Sequence, residues 1–339
     1  MAPSVITPVT VLTGFLGSGK TTILNRLVSD PRFADSAVIV NELGDVPIDH
    51  LLVRRASESI VVLPGGCICC RASGDLIRAL RELHRERASG AIGPFRRVVI
   101  ETTGLADPAP ILAALIELPV LAARYSLAGV VATADAEHGM AALDAHPEAV
   151  KQLALADRIV ITKIDRADAD ALEARLRALN PGAKIVRASH GNLDPALLFE
   201  TGLHRPGLAA PDATGWLAEG AYRRVGEPRA SPHDPRISSF VWRAPQPVAW
   251  EDFERGLETL LDLMGAKILR LKGLVSVAGE PGPRAVHAVQ HALYPPARLA
   301  AWPDADHGTR IVVIGRDLEE AAAARILDSF TRSSAISPR

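Results

Sequence analysis

What the chain has little of narrows its possibilities first. Of 339 residues only three are cysteine, all within Cys67 to Cys70, so no disulfide can join distant parts of the fold and the thiols must act locally. Net charge is nearly absent as well: 38 Lys and Arg against 39 Asp and Glu leave a formal -1. Nucleic acids and anionic membranes are recognised through clustered cations, so this balance argues against either as a dedicated partner. Pairs such as Arg96-Arg97 and Arg223-Arg224 read as solvated surface. Long apolar runs are missing too. The most apolar stretch, Ile111 to Ala134, is broken by Glu117, Pro119 and Arg124, and Met1 to Gly14 has no basic-then-apolar secretory layout. These features predict a soluble, cytoplasmic protein. The chain also has no internal repeat and no low-complexity tract.

What is present is ordinary globular usage, 48% hydrophobic and 23% charged, which excludes a largely disordered chain. Up to about residue 200, short apolar β-branched runs alternate with amphipathic segments. Strands are expected at Val9 to Thr13, Ala37 to Val40, Ile60 to Leu63, Val98 to Ile100, Ala128 to Val131, Ile159 to Ile161 and Lys184 to Val186. Runs without alternation suit strands buried on both faces, with helices as crossovers. The predicted class is α/β, a doubly wound, mainly parallel sheet over residues 1–201. Residues 202–236 are dense in proline and glycine and read as a joining segment. A smaller α+β domain is expected over 237–332, its last helix opened by a capping pair, Asp317 with Glu320.

Directly after the first expected strand comes Gly14-Phe15-Leu16-Gly17-Ser18-Gly19-Lys20-Thr21-Thr22, followed by the apolar helical positions Ile23, Leu24 and Leu27. Glycines let backbone N–H groups turn in on phosphate oxygens, Lys20 adds a point charge, and the Thr21 hydroxyl is placed to ligate magnesium. This is a P-loop in its proper strand-to-helix setting. Val98 to Glu101 then puts a carboxylate at a strand end, in reach of the magnesium shell, with Gly104 just beyond to offer an N–H to a γ-phosphate. The quartet Thr162-Lys163-Ile164-Asp165 follows another buried strand. Asp165 can accept from the ring N–H and amino group of guanine, and one charged hydrogen bond is worth about 1.5–3 kcal/mol. GTP over ATP is therefore expected. Thr162 stands where GTPases more often carry Asn, and its shorter side chain predicts a weaker tether to the phosphate loop.

Gly65-Gly66-Cys67-Ile68-Cys69-Cys70 groups every thiol of the chain. Thiolates suit zinc, cobalt or cuprous ions, and three from one loop make a partial site that a further donor must complete. Glu42, His50 and His138 are candidates for that donor. Two other readings of the cysteines stay open: buried small hydrophobes, or a Cys67–Cys70 pair cycling as a redox disulfide.

The set GFLGSGKTT, VNELGDVPID (Val40 to Asp49), GGCICC, ETTGLADP (Glu101 to Pro108) and TKID resembles the CobW-type P-loop GTPases. That metallochaperone family is related to the urease and hydrogenase maturation GTPases. RLKG (Arg270 to Gly273) and VVIGRDL (Val312 to Leu318) resemble its C-terminal domain. The resemblance implies that Asn41, Glu42 and Asp45 lie in a nucleotide-responsive loop and that Cys67, Cys69 and Cys70 bind the transferred metal. That metal would be zinc, with cobalt for cobalamin synthesis or nitrile hydratase activation as the alternative, and the recipient a client metalloprotein. Leu43 departs from the usual Phe. The histidine-rich tract of many members is missing, with only His204 and His233 in the joining region, which speaks for single-ion delivery over storage. Magnesium and GTP or GDP are the implied ligands; a homodimer stays open. A P-loop small-molecule kinase and a non-enzymatic metal or redox sensor are the competing classes.

Overall fold

The computed structural model describes residues 6–33, 35–41, 60–63, 72–199, 211–227 and 236–331. The candidate ligands Glu42, His50, Cys67, Cys69 and Cys70, and likewise Asp45, His204 and His233, lie outside the described residues. The chain forms two compact units: one takes Met1–Ala174 and Ala183–Arg205, the other Arg175–Gly182 and Pro206–Arg339.

The first unit is the expected doubly wound sheet. Its strands are β1 (Thr7–Gly14), β2 (Ser36–Asn41), β3 (Ile60–Leu63), β4 (Arg97–Glu101), β5 (Tyr125–Asp135), β6 (Arg158–Thr162) and β7 (Lys184–Arg187). They lie in the order β3-β2-β4-β1-β5-β6-β7, every neighbouring pair parallel. The crossovers are α1 (Lys20–Val28), α2 (Ala72–Ser89), α3 (Ala109–Glu117), α4 (Pro119–Ala122), α5 (Gly139–Ala145), α6 (Pro147–Leu155) and α7 (Asp170–Leu179), and a short α8 (Ala196–Phe199) follows β7. Burial explains the uninterrupted apolar runs: Val9, Val11, Val98, Ile100, Val131, Ile159 and Ile161 are inaccessible on both faces of the sheet. Because the order reverses direction at β1, the loops after β1, β4, β5 and β6 meet at one carboxyl edge, where doubly wound sheets bind ligands.

The second unit has a mixed sheet of β8 (Arg223–Arg224), β9 (Ile237–Ala244), β10 (Ile268–Val275), β11 (Arg284–Val289), β12 (Ala292–Leu293), β13 (Ala297–Arg298) and β14 (Thr309–Arg316). The path is β12-β11-β10-β14-β9-β8, with β13 on β11; all pairs are antiparallel except β8 with β9. One face is covered by α10 (Trp250–Met264) and α11 (Glu320–Thr331), burying Phe240, Phe253, Leu257, Leu271 and Val313 in one cluster. Two local expectations change here. The proline-rich stretch contributes α9 (Pro211–Leu217) and the edge strand β8, because backbone pairing to β9 and burial of Trp216 and Tyr222 outweigh its composition. The expected capping pair does not form: Asp317 is engaged by Arg236, Glu320 by Arg223, and it is the Glu319 carbonyl that receives the first helical N–H groups. No described helix is long and apolar enough to cross a membrane.

Candidate nucleotide site

The phosphate loop turns at three glycines. Gly14, Gly17 and Gly19 have φ of 141°, 69° and 92°, and a Cβ at Gly14 would stand 2.2 Å from Thr133 Oγ1. Lys20 is buried at the start of α1, its Nζ donating to the carbonyls of Gly14 (2.9 Å) and Phe15 (3.0 Å). Burial pushes the Lys20 ammonium down from its ordinary value, partly offset by the charge of Glu101. The ammonium is thus held by neutral oxygens that a phosphate would displace with gain. Next to it, Thr21 Oγ1 donates to Glu101 Oε1 at 2.9 Å, bringing together the hydroxyl and carboxylate predicted for magnesium. Hard oxygen donors side by side at a P-loop fit that ion. Thr22 follows on the same helix and is exposed.

Ser18, at the turn into α1, bonds in two directions. Its hydroxyl meets Thr133 Oγ1 at 2.5 Å, and its carbonyl accepts from Thr162 Oγ1 at 2.8 Å. The second bond is a tether that Thr162 makes to the phosphate loop despite its short side chain. The loop passes so close to the end of β6 that a Cβ on Gly19 would lie 3.2 Å from Thr162 Cγ2, so a short side chain reaches where a longer amide is usual. Gly104 likewise approaches the loop tightly, since a Cβ there would stand 2.7 Å from the Leu16 nitrogen. Its position is kept by Gln152, fully buried on α6, whose Nε2 donates to the carbonyls of Gly104 (3.1 Å) and Ala106 (2.9 Å).

Around Asp165, the residue expected to read the base, stand residues that the sequence alone did not single out. Asp165 Oδ1 accepts from Ser189 Oγ at 2.9 Å, and His190 Nε2 lies 3.7 Å from Oδ2. The Ser189 bond holds the Asp165 carboxyl below the usual carboxylate range. Lys163, at φ 56°, pairs through Nζ with Asp135 Oδ2 at 2.5 Å. Burial pushes the Asp135 carboxyl up. Donors from Lys163, the Glu137 N–H and His138 outweigh it and hold the group low. His138, expected as a metal donor, sits here with Asp135 and Glu137 and is bonded to Asp135 at 3.3 Å. Asp135 ends β5, the strand directly beside β1, an adjacency that residue order does not show; Ser189 and Gln152 carry no sequence signal either.

A strand-to-helix phosphate loop with an adjacent hydroxyl–carboxylate pair defines a P-loop nucleotide-binding protein. A family profile described as the CobW/HypB/UreG nucleotide-binding domain matches residues 8–187, and one described as the cobalamin synthesis protein cobW C-terminal domain matches residues 237–331. The chain belongs to the CobW/HypB/UreG family. It is 36% identical over 316 residues to the zinc chaperone YjiA of Escherichia coli K12, covering 92% of this chain and 95% of that protein. To the zinc chaperone CobW of Pseudomonas aeruginosa it is 30% identical, covering 94% and 90%. The crystal structure of Zn(II)-bound YjiA GTPase from E. coli superposes with a TM-score of 0.72 at 30% identity, covering 96% of this chain and 99% of that one.

Proposed function

We propose that this protein is a GTP-hydrolysing metallochaperone that binds one zinc ion through Cys67, Cys69 and Cys70 and passes it to a client metalloprotein under nucleotide control. The observation that carries the reading is the wiring of the site: through Ser18 and Thr162 the phosphate loop is bonded to the strand whose next residues read the base, with Asp165 already held by Ser189. Two acceptor oxygens fixed in place favour guanine, which alone presents both an N–H and an amino group to them. The names of the relatives support zinc as the cargo, and the three neighbouring thiols are donors suited to it.

In this reading Lys20 moves from the Gly14 and Phe15 carbonyls onto the β- and γ-phosphates, where a full charge replaces two neutral acceptors. Thr21 and Glu101 would hold magnesium, which neutralises charge on the triphosphate. Gly104, braced by Gln152, offers its N–H toward the γ-phosphate and so reports whether that group is present. Unassisted turnover is slow, as for bare GTPases. Grip on zinc is linked to GTP, and a hundredfold difference requires about 2.7 kcal/mol of coupling. Competition titrations against a zinc chelator test this directly. Tighter zinc binding with a non-hydrolysable GTP analogue than with GDP, lost when all three cysteines become alanine, is expected. Equal affinities in the two nucleotide states would remove the switch, and indifference to guanine nucleotides would remove the whole reading.

A further inference from the structure

The second half of α2 carries arginine at 78, 81 and 85, spaced i, i+3 and i+7 and so aligned along one face. Its opposite face buries Leu76, Leu80 and Leu83. Tyr125 Oη donates to the Leu80 carbonyl at 2.7 Å and Arg87 Nη1 to Thr7 Oγ1 at 3.0 Å. These bonds fix this half of the helix where strands β1 and β5 begin, the sheet edge remote from the phosphate loop. Val120 and Arg124 face the stripe from the α4 segment, and the groove between encloses about 410 Å³.

The groove holds unbalanced positive charge. Arg78 pairs with Asp75 at 3.2 Å and Arg85 with Glu82 at 3.0 Å, while both guanidiniums stay exposed. Arg124 donates to the neutral carbonyl of Val120 at 2.8 Å, and Arg81 has no partner among the described residues. Four arginines less two carboxylates leave a formal +2 (Arg78, Arg81, Arg85 and Arg124 against Asp75 and Glu82). Between them His84 Nδ1 is buried with no hydrogen-bond partner among the described residues. Burial, then the charges of Arg124 and Arg87, hold the imidazole below its ordinary value.

We propose that this groove docks an acidic segment of a partner protein, with carboxylates spaced along the Arg78-Arg81-Arg85 stripe. The cations are strung over two helical turns, about 10 Å at 1.5 Å per residue. They do not converge on one point, and mid-helix offers no free N–H groups, so a single phosphate finds no cradle. Guanidinium forks match successive carboxylates two bonds at a time. The exposed large hydrophobes among the described residues, Ile6, Leu16, Leu105 and Leu263, are all elsewhere, leaving nothing in the groove to enter a bilayer, and no Phe, Tyr or Trp lines it to stack a base. On a chain of net charge -1 such a local patch orients an approaching acidic partner.

Fluorescence anisotropy of the full-length protein with a fluorescein-labelled deca-glutamate peptide tests the assignment. Binding is expected to weaken at least tenfold in Arg81→Glu/Arg124→Glu, less in Arg81→Gln/Arg124→Gln, and to vanish at high salt, with GTP hydrolysis within twofold of the unaltered protein. In the unaltered protein the peptide should also raise the His84 titration midpoint followed by NMR, a readout independent of any variant. Equal peptide affinity across the three proteins, or an unmoved His84, overturns the proposal. So does groove-dependent binding of inorganic tripolyphosphate or phosphatidylserine vesicles where the peptide fails to bind.

Discussion

The two sheets bury their polar side chains in different places. In the parallel sheet Thr13, Glu101, Thr133, Asp135 and Thr162 are buried at the carboxyl ends of strands, and Thr7, Ser36 and Arg158 at the amino ends. In the mixed sheet Arg270, Lys272, His287 and Arg310 are buried in mid-strand, on the face turned away from Leu271, Val286 and Ile311 of the helix-covered core. A sheet packed by helices on both faces has room for charge only at its strand ends, and at the carboxyl ends the strand order gathers the polar groups into one site. A sheet covered by helices on one face can carry a second, basic face, whose charges are met by local partners: Lys272 Nζ donates to the Trp216 carbonyl at 3.2 Å and lies 4.9 Å over its ring, and Arg310 pairs with Asp304.

Several measurements would sharpen or break this contrast. The largest effect belongs to the second unit's core: Phe253→Ala should cost about 3–5 kcal/mol in denaturant unfolding while nucleotide affinity stays the same, if the two sheets act independently. Lys20→Ala should lower kcat/KM for GTP by at least a hundredfold, about 2.7 kcal/mol, with an unchanged melting temperature of the mixed sheet. Thr162→Val leaves the Ser18 carbonyl without its donor and should weaken nucleotide binding by about 1–2 kcal/mol in calorimetry, whereas no loss would make the tether incidental. Trp242→Phe removes the 2.9 Å bond to Asp328 and should cost about 1 kcal/mol of stability with hydrolysis untouched. The smallest effect is acid sensitivity. The Asp135 and Asp165 carboxyls lie below their unfolded values, so their contribution is complete above the ordinary carboxylate range and is lost only as pH falls toward the lowered values. Guanine-nucleotide affinity should therefore stay level from neutral pH to about 5, and a decline beginning nearer 6 would contradict it.

Much of the site can be read from residue order because its chemistry is local. Gly14 to Thr22 carries its own turn, charge and hydroxyl, and β-branched runs announce buried strands, so the phosphate end of the site and the parallel sheet are legible directly. How near the loop runs to β6, and so that Thr162 reaches the Ser18 carbonyl, could not be read from side-chain length. Asp135 was missed because a lone carboxylate at a strand end has no signature of its own until Lys163, 28 positions later, arrives beside it. The reading of Arg97 as solvated surface also changes: its guanidinium lies 5.1 Å from the Phe33 ring and 4.8 Å from that of Phe199.

Residue order by itself determined that a triphosphate loop sits between a buried strand and a helix, that helices alternate with parallel strands, and that three thiols stand together. Each of these depends on neighbours a few positions apart, whose geometry the backbone dictates. Only the tertiary structure decided that Ser189 primes Asp165, that Gln152 braces Gly104, and that Arg124 closes a groove with a stripe on α2. These depend on which strands lie side by side, and periodicity and composition do not encode that order.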